Sequence, residues 1–193
     1  MKICFIGAGA LGSSIGGVLA AGGADVVLVD HFAAHVDAIN TFGLNIRIDD
    51  EEKIVKVRAC SDCQDIGIVD LVIVLVKSFH TRSAIESARP LIGENTMVMS
   101  IQNGMGHEEI LAEVVGREHV LAAKTYVGGV FLSPGHIISG YKGKQTYIGE
   151  LDGRLTPRLQ AVVDVFNKAG LQATASTNIY GTIWDKVLLN EAT

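Results

Sequence analysis

Lys2-Ile3-Cys4-Phe5-Ile6-Gly7-Ala8-Gly9-Ala10-Leu11-Gly12 stands almost at the start of the chain. The apolar run from Lys2 to Ile6, ending in glycine, reads as a buried strand. Glycines at 7, 9 and 12 follow at the G-x-G-x-x-G spacing, and the small residues from Ala10 to Ala21 read as a helix. The glycine pattern alone also fits a plain glycine-rich turn; the strand before it and the helix behind it make it specific. Gly7 permits the tight turn, Gly9 lets the backbone approach a pyrophosphate, and Gly12 lets helix and strand pack closely. The free N–H groups of the helix start, at the positive end of its dipole, favour phosphate. Gly7, Ala8, Gly9, Ala10, Leu11 and Gly12 are therefore expected to bind a dinucleotide cofactor.

Strands and helices alternate outward from this unit. Asp25 to Val29 is a second strand and Phe32 to Phe42 a helix. Gly43 to Val57 holds two short strands around Asp49-Asp50-Glu51-Glu52. Asp70 to Val76 contains Leu-Val-Ile-Val-Leu-Val, a continuous apolar run suited to a central parallel strand covered on both faces. Thr81 to Ala88 (helix), Thr96 to Ile101 (strand) and Glu108 to Val115 (helix) complete an α/β alternation. It predicts a Rossmann-type doubly wound, mostly parallel sheet. Val120 to Leu132, Ile137 to Gly140, Gln145 to Gly149 and Gln172 to Ala175 read as further strands. Thr156 caps a helix that has Pro157 at its first position and ends at Gly170. From Asn178 onward Ile179, Tyr180, Ile183, Trp184, Val187 and Leu188 recur at helical spacing. The expected division is a cofactor-binding unit over 1–176 and, over 177–193, the first helix of an all-helical C-terminal domain that the sequence cuts short.

Composition narrows the function. With 193 residues and 48% hydrophobic content the chain can bury a core, which excludes disorder as its main state. Its 16 Lys+Arg against 21 Asp+Glu give a formal charge of −5, without the basic excess of nucleic-acid binders. Asp70 interrupts the longest apolar stretch, Ile66 to Val76, well short of the about 18 residues a membrane span needs. No secretory leader is legible, so a cytoplasmic protein is expected. Cys60-Ser-Asp-Cys63 lacks the second pair that would complete a zinc site, and no metal is expected.

Four further positions lie where such a fold places ligands, outside the carboxyl ends of its strands. Asp30 ends the second strand, 21 residues after Gly9. It is placed either to bind the adenosine ribose and repel a 2′-phosphate, favouring NADH, or to start the next helix; His31 beside it can soften that repulsion. Lys77 follows the central strand and is either a phosphate or substrate contact or a solvated lysine. Gln102-Asn103-Gly104-Met105-Gly106 follows another strand, so Gln102, Asn103 and Gly104 either meet the cofactor or form an ordinary Asn-Gly turn. Lys186 and Asn190, four apart, share a helix face, where a solvated lysine is the alternative to a catalytic one.

In this order, Gly7 to Gly12, Val76-Lys77, Gln102 to Gly106, Tyr147-Ile148-Gly149-Glu150 and Trp184-Asp185-Lys186 with Asn190 resemble the ketopantoate reductase (2-dehydropantoate 2-reductase) family. The resemblance implies a Rossmann domain followed by a helical domain, with the active site between them, and NAD(P)H-dependent reduction of a 2-oxo acid, ketopantoate to pantoate. It implies Lys186 as general acid, Asn103 as the amide organising cofactor and substrate, Asn190 as a substrate-binding amide and Lys77 near the cofactor. It also implies a small-molecule partner and a homodimer through the helical domain. Asp30 departs from the basic residue common in NADPH-dependent members. Another hydroxy- or imino-acid dehydrogenase, and a non-catalytic NAD(H) sensor, are the other readings.

Overall fold

The computed structural model describes the backbone of residues 1–191 and the side chains of residues 1–185. In chain order its elements are β1 (Lys2–Ile6), α1 (Ala10–Ala21), β2 (Asp25–Val29), α2 (Ala33–Phe42), β3 (Leu44–Ile48), β4 (Glu51–Val55), β5 (Arg58–Cys60), β6 (Leu71–Val74), α3 (Thr81–Ser87), β7 (Met97–Ser100) and α4 (His107–Val115). There follow β8 (Val120–Thr125), β9 (Gly128–Ser133), β10 (His136–Gly140), β11 (Gln145–Glu150), α5 (Pro157–Lys168), β12 (Gln172–Ala175) and α6 (Ile179–Glu191).

Eight strands form the main sheet in the order β12-β11-β8-β7-β6-β1-β2-β5. Neighbours run parallel except the antiparallel pair β11 and β8. From β1 the chain builds outward through β2 to β5, then returns to the other side of β1 at β6. The strand order therefore reverses between β1 and β6, the point where open α/β sheets bind ligands. Alternate residues feed two cores. Phe5, Leu28, Ile73 and Met99 meet α1, α2 and α5 through Ile15, Ile39 and Phe166 on one face. Cys4, Val27, Val72 and Val98 meet α3 and α4 through Ile85 and Leu111 on the other. The double winding read from the sequence is the one observed.

Two features depart from that reading. The stretch from Val120 to Leu132 is not one strand: it breaks at Tyr126 and Val127, and β9 joins a separate four-stranded sheet, β4-β3-β10-β9. The break is local, with the Val127 N–H donating to Thr125 Oγ1 and the Tyr126 N–H to the Gln145 carbonyl. The short β5 is an addition, pairing with β2 from Val27 to Val29. The small sheet covers α1 on the side away from the main sheet, so α1 is buried between two sheets. Adjacent glycines admit both. A β-carbon at Gly16 would lie 2.7 Å from Leu28 Cδ2, and one at Gly17 would lie 2.4 Å from Ile46 Cδ1.

Helix α5 has the ends the sequence announces. Thr156 Oγ1 accepts from the Leu159 N–H, and Gly170, at φ +90°, closes the C-terminus as the Gly170 N–H bonds Asn167 O and the Leu171 N–H bonds Phe166 O. Helix α6 docks on the main sheet through buried Ile179 and Ile183 against Ala122. At Gly149 a β-carbon would lie 2.8 Å from Ile179 Cβ, so the glycine lets the helix sit close to β11. Among the described residues no helix is long and apolar enough to cross a membrane.

Candidate active site

The glycine turn occupies the reversal point between β1 and β6. Gly7 takes φ +100°, and its N–H donates to Val29 O at 2.9 Å. A β-carbon there would stand 2.9 Å from the backbone of Leu75 and Val76, so the turn lies against the loop leaving β6. Gly9 precedes α1, and nothing lies within 4 Å of where its β-carbon would be. At Gly12 a β-carbon would be 2.0 Å from Gly7 O. The turn thus leaves bare backbone open at Gly9, at a helix start with unpaired N–H groups, which is a cradle that fits a pyrophosphate. Ala8 is buried, whereas Ala10 and Leu11 are half-buried.

Asp30 sits at the end of β2, its N–H bonded to Cys60 O at 3.1 Å. Its Oδ1 accepts from the Phe32 N–H at 2.9 Å, so one carboxylate oxygen helps shape the entry to α2, which begins at Ala33. The carboxylate thus shapes this turn at the carboxyl end of β2. Lys77 is exposed in the loop after β6.

The loop after β7 joins the same edge. Gln102 Nε2 donates to Val76 O at 2.7 Å and to Thr81 Oγ1 at 3.0 Å, while Gln102 Oε1 accepts from Ser100 Oγ at 2.9 Å. The Gln102 amide ties the β6 and β7 loops together. Thr81 Oγ1 in turn donates to Ser78 O at 2.8 Å. Asn103 and Gly104 are exposed, and the Asn103 carbonyl bonds His107 Nε2 at 3.1 Å. Gly104 and Gly106, at φ +102° and +85°, supply left-handed turns that other residues resist. Glu108 follows at the start of α4, where burial pushes its carboxyl above the usual range.

Lys186 and Asn190 lie on the backbone of α6, but their side chains fall outside the described residues. The structure thus brings the glycine turn, Asp30, Lys77, Gln102, Asn103 and Gly104 to one edge.

Two residues at this edge escaped the sequence reading. His35 is 1% exposed, with Nε2 2.9 Å from Ala8 O and 3.1 Å from Ser13 Oγ, while Nδ1 accepts from the Gly135 N–H at 2.9 Å. Burial, against weaker opposing effects of the Ala8 bond and the Asp30 charge, holds its pKa below the usual imidazole value. Lys124, near the carboxyl end of β8, is 6% exposed. Its Nζ donates to Thr182 O at 2.6 Å and stands 4.7 Å from the Tyr126 ring centre, within cation–π range. A lysine inside the apolar run from Val120 was a legible signal; His35, in an ordinary helix, gave none.

Fold and edge together define a Rossmann-type α/β protein with the glycine turn of the dinucleotide-binding unit. Residues 3–153 match the family model described as ketopantoate reductase PanE/ApbA. The chain belongs to that family. It is 38% identical over 192 residues to the 2-dehydropantoate 2-reductase of Pyrococcus abyssi (strain GE5 / Orsay), covering 100% of this chain and 62% of the relative. A PanE/ApbA family ketopantoate reductase from Ralstonia eutropha JMP134 superposes with a TM-score of 0.88 at 33% identity, over 98% of this chain and 61% of that one. The ternary structure of D-mandelate dehydrogenase with NADH and anilino(oxo)acetate superposes with a TM-score of 0.89 at 28% identity, over the same shares. The chain thus spans 62% of the length of the curated relative from P. abyssi.

Proposed function

We propose that the protein reduces a 2-oxo acid with a nicotinamide cofactor, converting ketopantoate to pantoate. The observation that carries the reading is the continuous edge from Asp30 through Gly7 and Val76 to Gln102 and Asn103, in a chain of the ketopantoate reductase family. Residues 1–176 are assigned to the cofactor-binding unit, and 177 onward to the substrate side.

A bound dihydronicotinamide supplies the hydride. The glycine turn and the start of α1 hold its pyrophosphate, and Asp30 accepts from the ribose hydroxyls, favouring NADH. Lys77 and the Asn103 loop would meet the cofactor from the loops after β6 and β7. As negative charge grows on the ketone oxygen, the Lys186 ammonium stabilises it and hands over a proton, giving the alcohol. Asn190, one helical turn on, binds a substrate oxygen.

A second reading, an NADH-dependent dehydrogenase of aryl-substituted 2-oxo acids, is favoured by Asp30 together with the likeness to D-mandelate dehydrogenase. The test is oxidation of NADH by the full-length protein with ketopantoate and with a phenyl-substituted 2-oxo acid, alongside Lys186→Ala. Turnover of ketopantoate, reduced about 10²-fold or more in the variant, is expected. Turnover confined to the aryl acid selects the second reading. Near-normal turnover of the variant removes Lys186 from the mechanism, and no turnover with either acid overturns the reductase reading.

A further inference from the structure

We infer that His35 is a positioning residue for the cofactor, clamping the Ala8–Gly9 peptide so that the Gly9 N–H faces the phosphates. The inference rests on the dinucleotide reading above and assigns a function to the small second sheet.

The geometry is fully constrained. The Gly135 N–H donates to His35 Nδ1 at 2.9 Å, so Nδ1 must carry a lone pair. In the neutral ring the hydrogen then lies on Nε2, which is 2.9 Å from Ala8 O and donates to it. Ser13 Oγ donates to the same carbonyl at 2.6 Å. The Ala8 carbonyl is thus held from α2 and from α1 together. A trans peptide is planar, with its N–H opposite its carbonyl. Fixing Ala8 O toward His35 therefore turns the Gly9 N–H the other way, at the residue whose surroundings are open. Gly135 closes the turn between β9 and β10, and the Phe131 ring of β9 lies 5.0 Å from the imidazole. The hairpin of the second sheet thereby sets the ring that sets the turn.

The clamp requires a neutral imidazole. A proton added at Nδ1 would face the Gly135 N–H, setting donor against donor. The one charge acting on the ring among the described residues is Asp30, which favours the protonated form; burial opposes it and prevails. Cofactor affinity should accordingly hold through the ordinary imidazole range and fall only where acid protonates the buried ring, below its usual value.

The experiment titrates NADH into the full-length protein and into His35→Phe and His35→Gln, from pH 5 to 8, with thermal unfolding of each. His35→Phe keeps a ring against Phe131 and loses both bonds; it should bind NADH about tenfold more weakly at pH 7.5, the loss expected from one buried hydrogen bond. His35→Gln, which keeps a donor, should recover part of that. Wild-type affinity should fall as the His35 ring protonates, followed by NMR on further acidification, while that of His35→Phe stays flat over the same range, although both retain His31. A variant that unfolds more easily yet binds NADH like wild type, with the same pH profile, overturns the clamp alone. If His35→Phe does not fold, a wild-type affinity that stays constant while the His35 imidazole itself takes up its proton, followed by NMR in the same acid titration, overturns it. A wild-type protein that binds neither NADH nor NADPH overturns the cofactor reading and the clamp with it.

Discussion

Gly12 faces Gly7 so closely that a β-carbon on Gly12 would lie 2.0 Å from the Gly7 carbonyl oxygen, whereas the same carbon on Gly9 would meet nothing within 4 Å. The two glycines serve different ends, one internal packing and the other access. Gly12→Ala should destabilise the fold by about 1–3 kcal/mol through overpacking against backbone that cannot yield. Gly9→Ala should leave stability within about 0.5 kcal/mol of wild type. It should nonetheless weaken NADH binding, because the methyl group fills the open side of the turn. Thermal unfolding and NADH titration of both variants check this. Equal stability losses would contradict the division of roles.

Asp30→Asn isolates the carboxylate charge, since the amide oxygen can still accept from the Phe32 N–H. Removing the charge should strengthen NADPH binding by tenfold or more relative to NADH, as the repulsion of a 2′-phosphate disappears. An unchanged ratio of the two dissociation constants would assign Asp30 to turn formation alone.

Lys124 ties β8 to α6 through Thr182 O. A hydrogen bond from a charged donor contributes about 1.5–3 kcal/mol. Lys124→Met should therefore speed amide exchange of residues 179–185 by about tenfold or more, leaving β8 protected, and Lys124→Arg should restore part of the protection. Uniform acceleration across the main sheet would show that the lysine supports the fold globally.

Glu150 tests acid stability. Burial pushes its carboxyl upward, but bonds from Arg158 and Thr156 outweigh this and hold it below the usual range. Because the folded value lies below the unfolded one, the unfolded chain takes up the proton first. The stabilisation is present above about pH 4.5 and is lost as pH falls through the depressed folded value. Glu150→Gln should cost about 1–3 kcal/mol at neutral pH and flatten this acid limb, measured by denaturant unfolding from pH 3 to 7.

Much of the fold was legible because its signals are local. The glycine spacing after Ile6, the apolar run at 71–76 and the Thr156-Pro157 start of α5 each encode their structure within a few residues. The second sheet was not, since its strands assemble from β3, β4, β9 and β10, and β10 pairs with β3 from 136–138 back to 45–47. No local pattern says that Val120 to Leu132 must leave one sheet for another. The same holds within the site. Asp30, Lys77 and Asn103 stand at strand ends, where position alone suggests a ligand. The partners of His35 lie at residues 8, 13 and 135, and the Gln102 amide bonds Val76 and Thr81, so neither set of contacts follows from neighbours in sequence.

The most direct measurement of the central claim is calorimetric titration of NADH and of NADPH into the full-length protein at pH 7.5. Saturable binding of both is expected, with NADH the tighter. Absence of binding by either would contradict the cofactor assignment of the glycine turn, and tighter binding of NADPH would contradict the role given to Asp30.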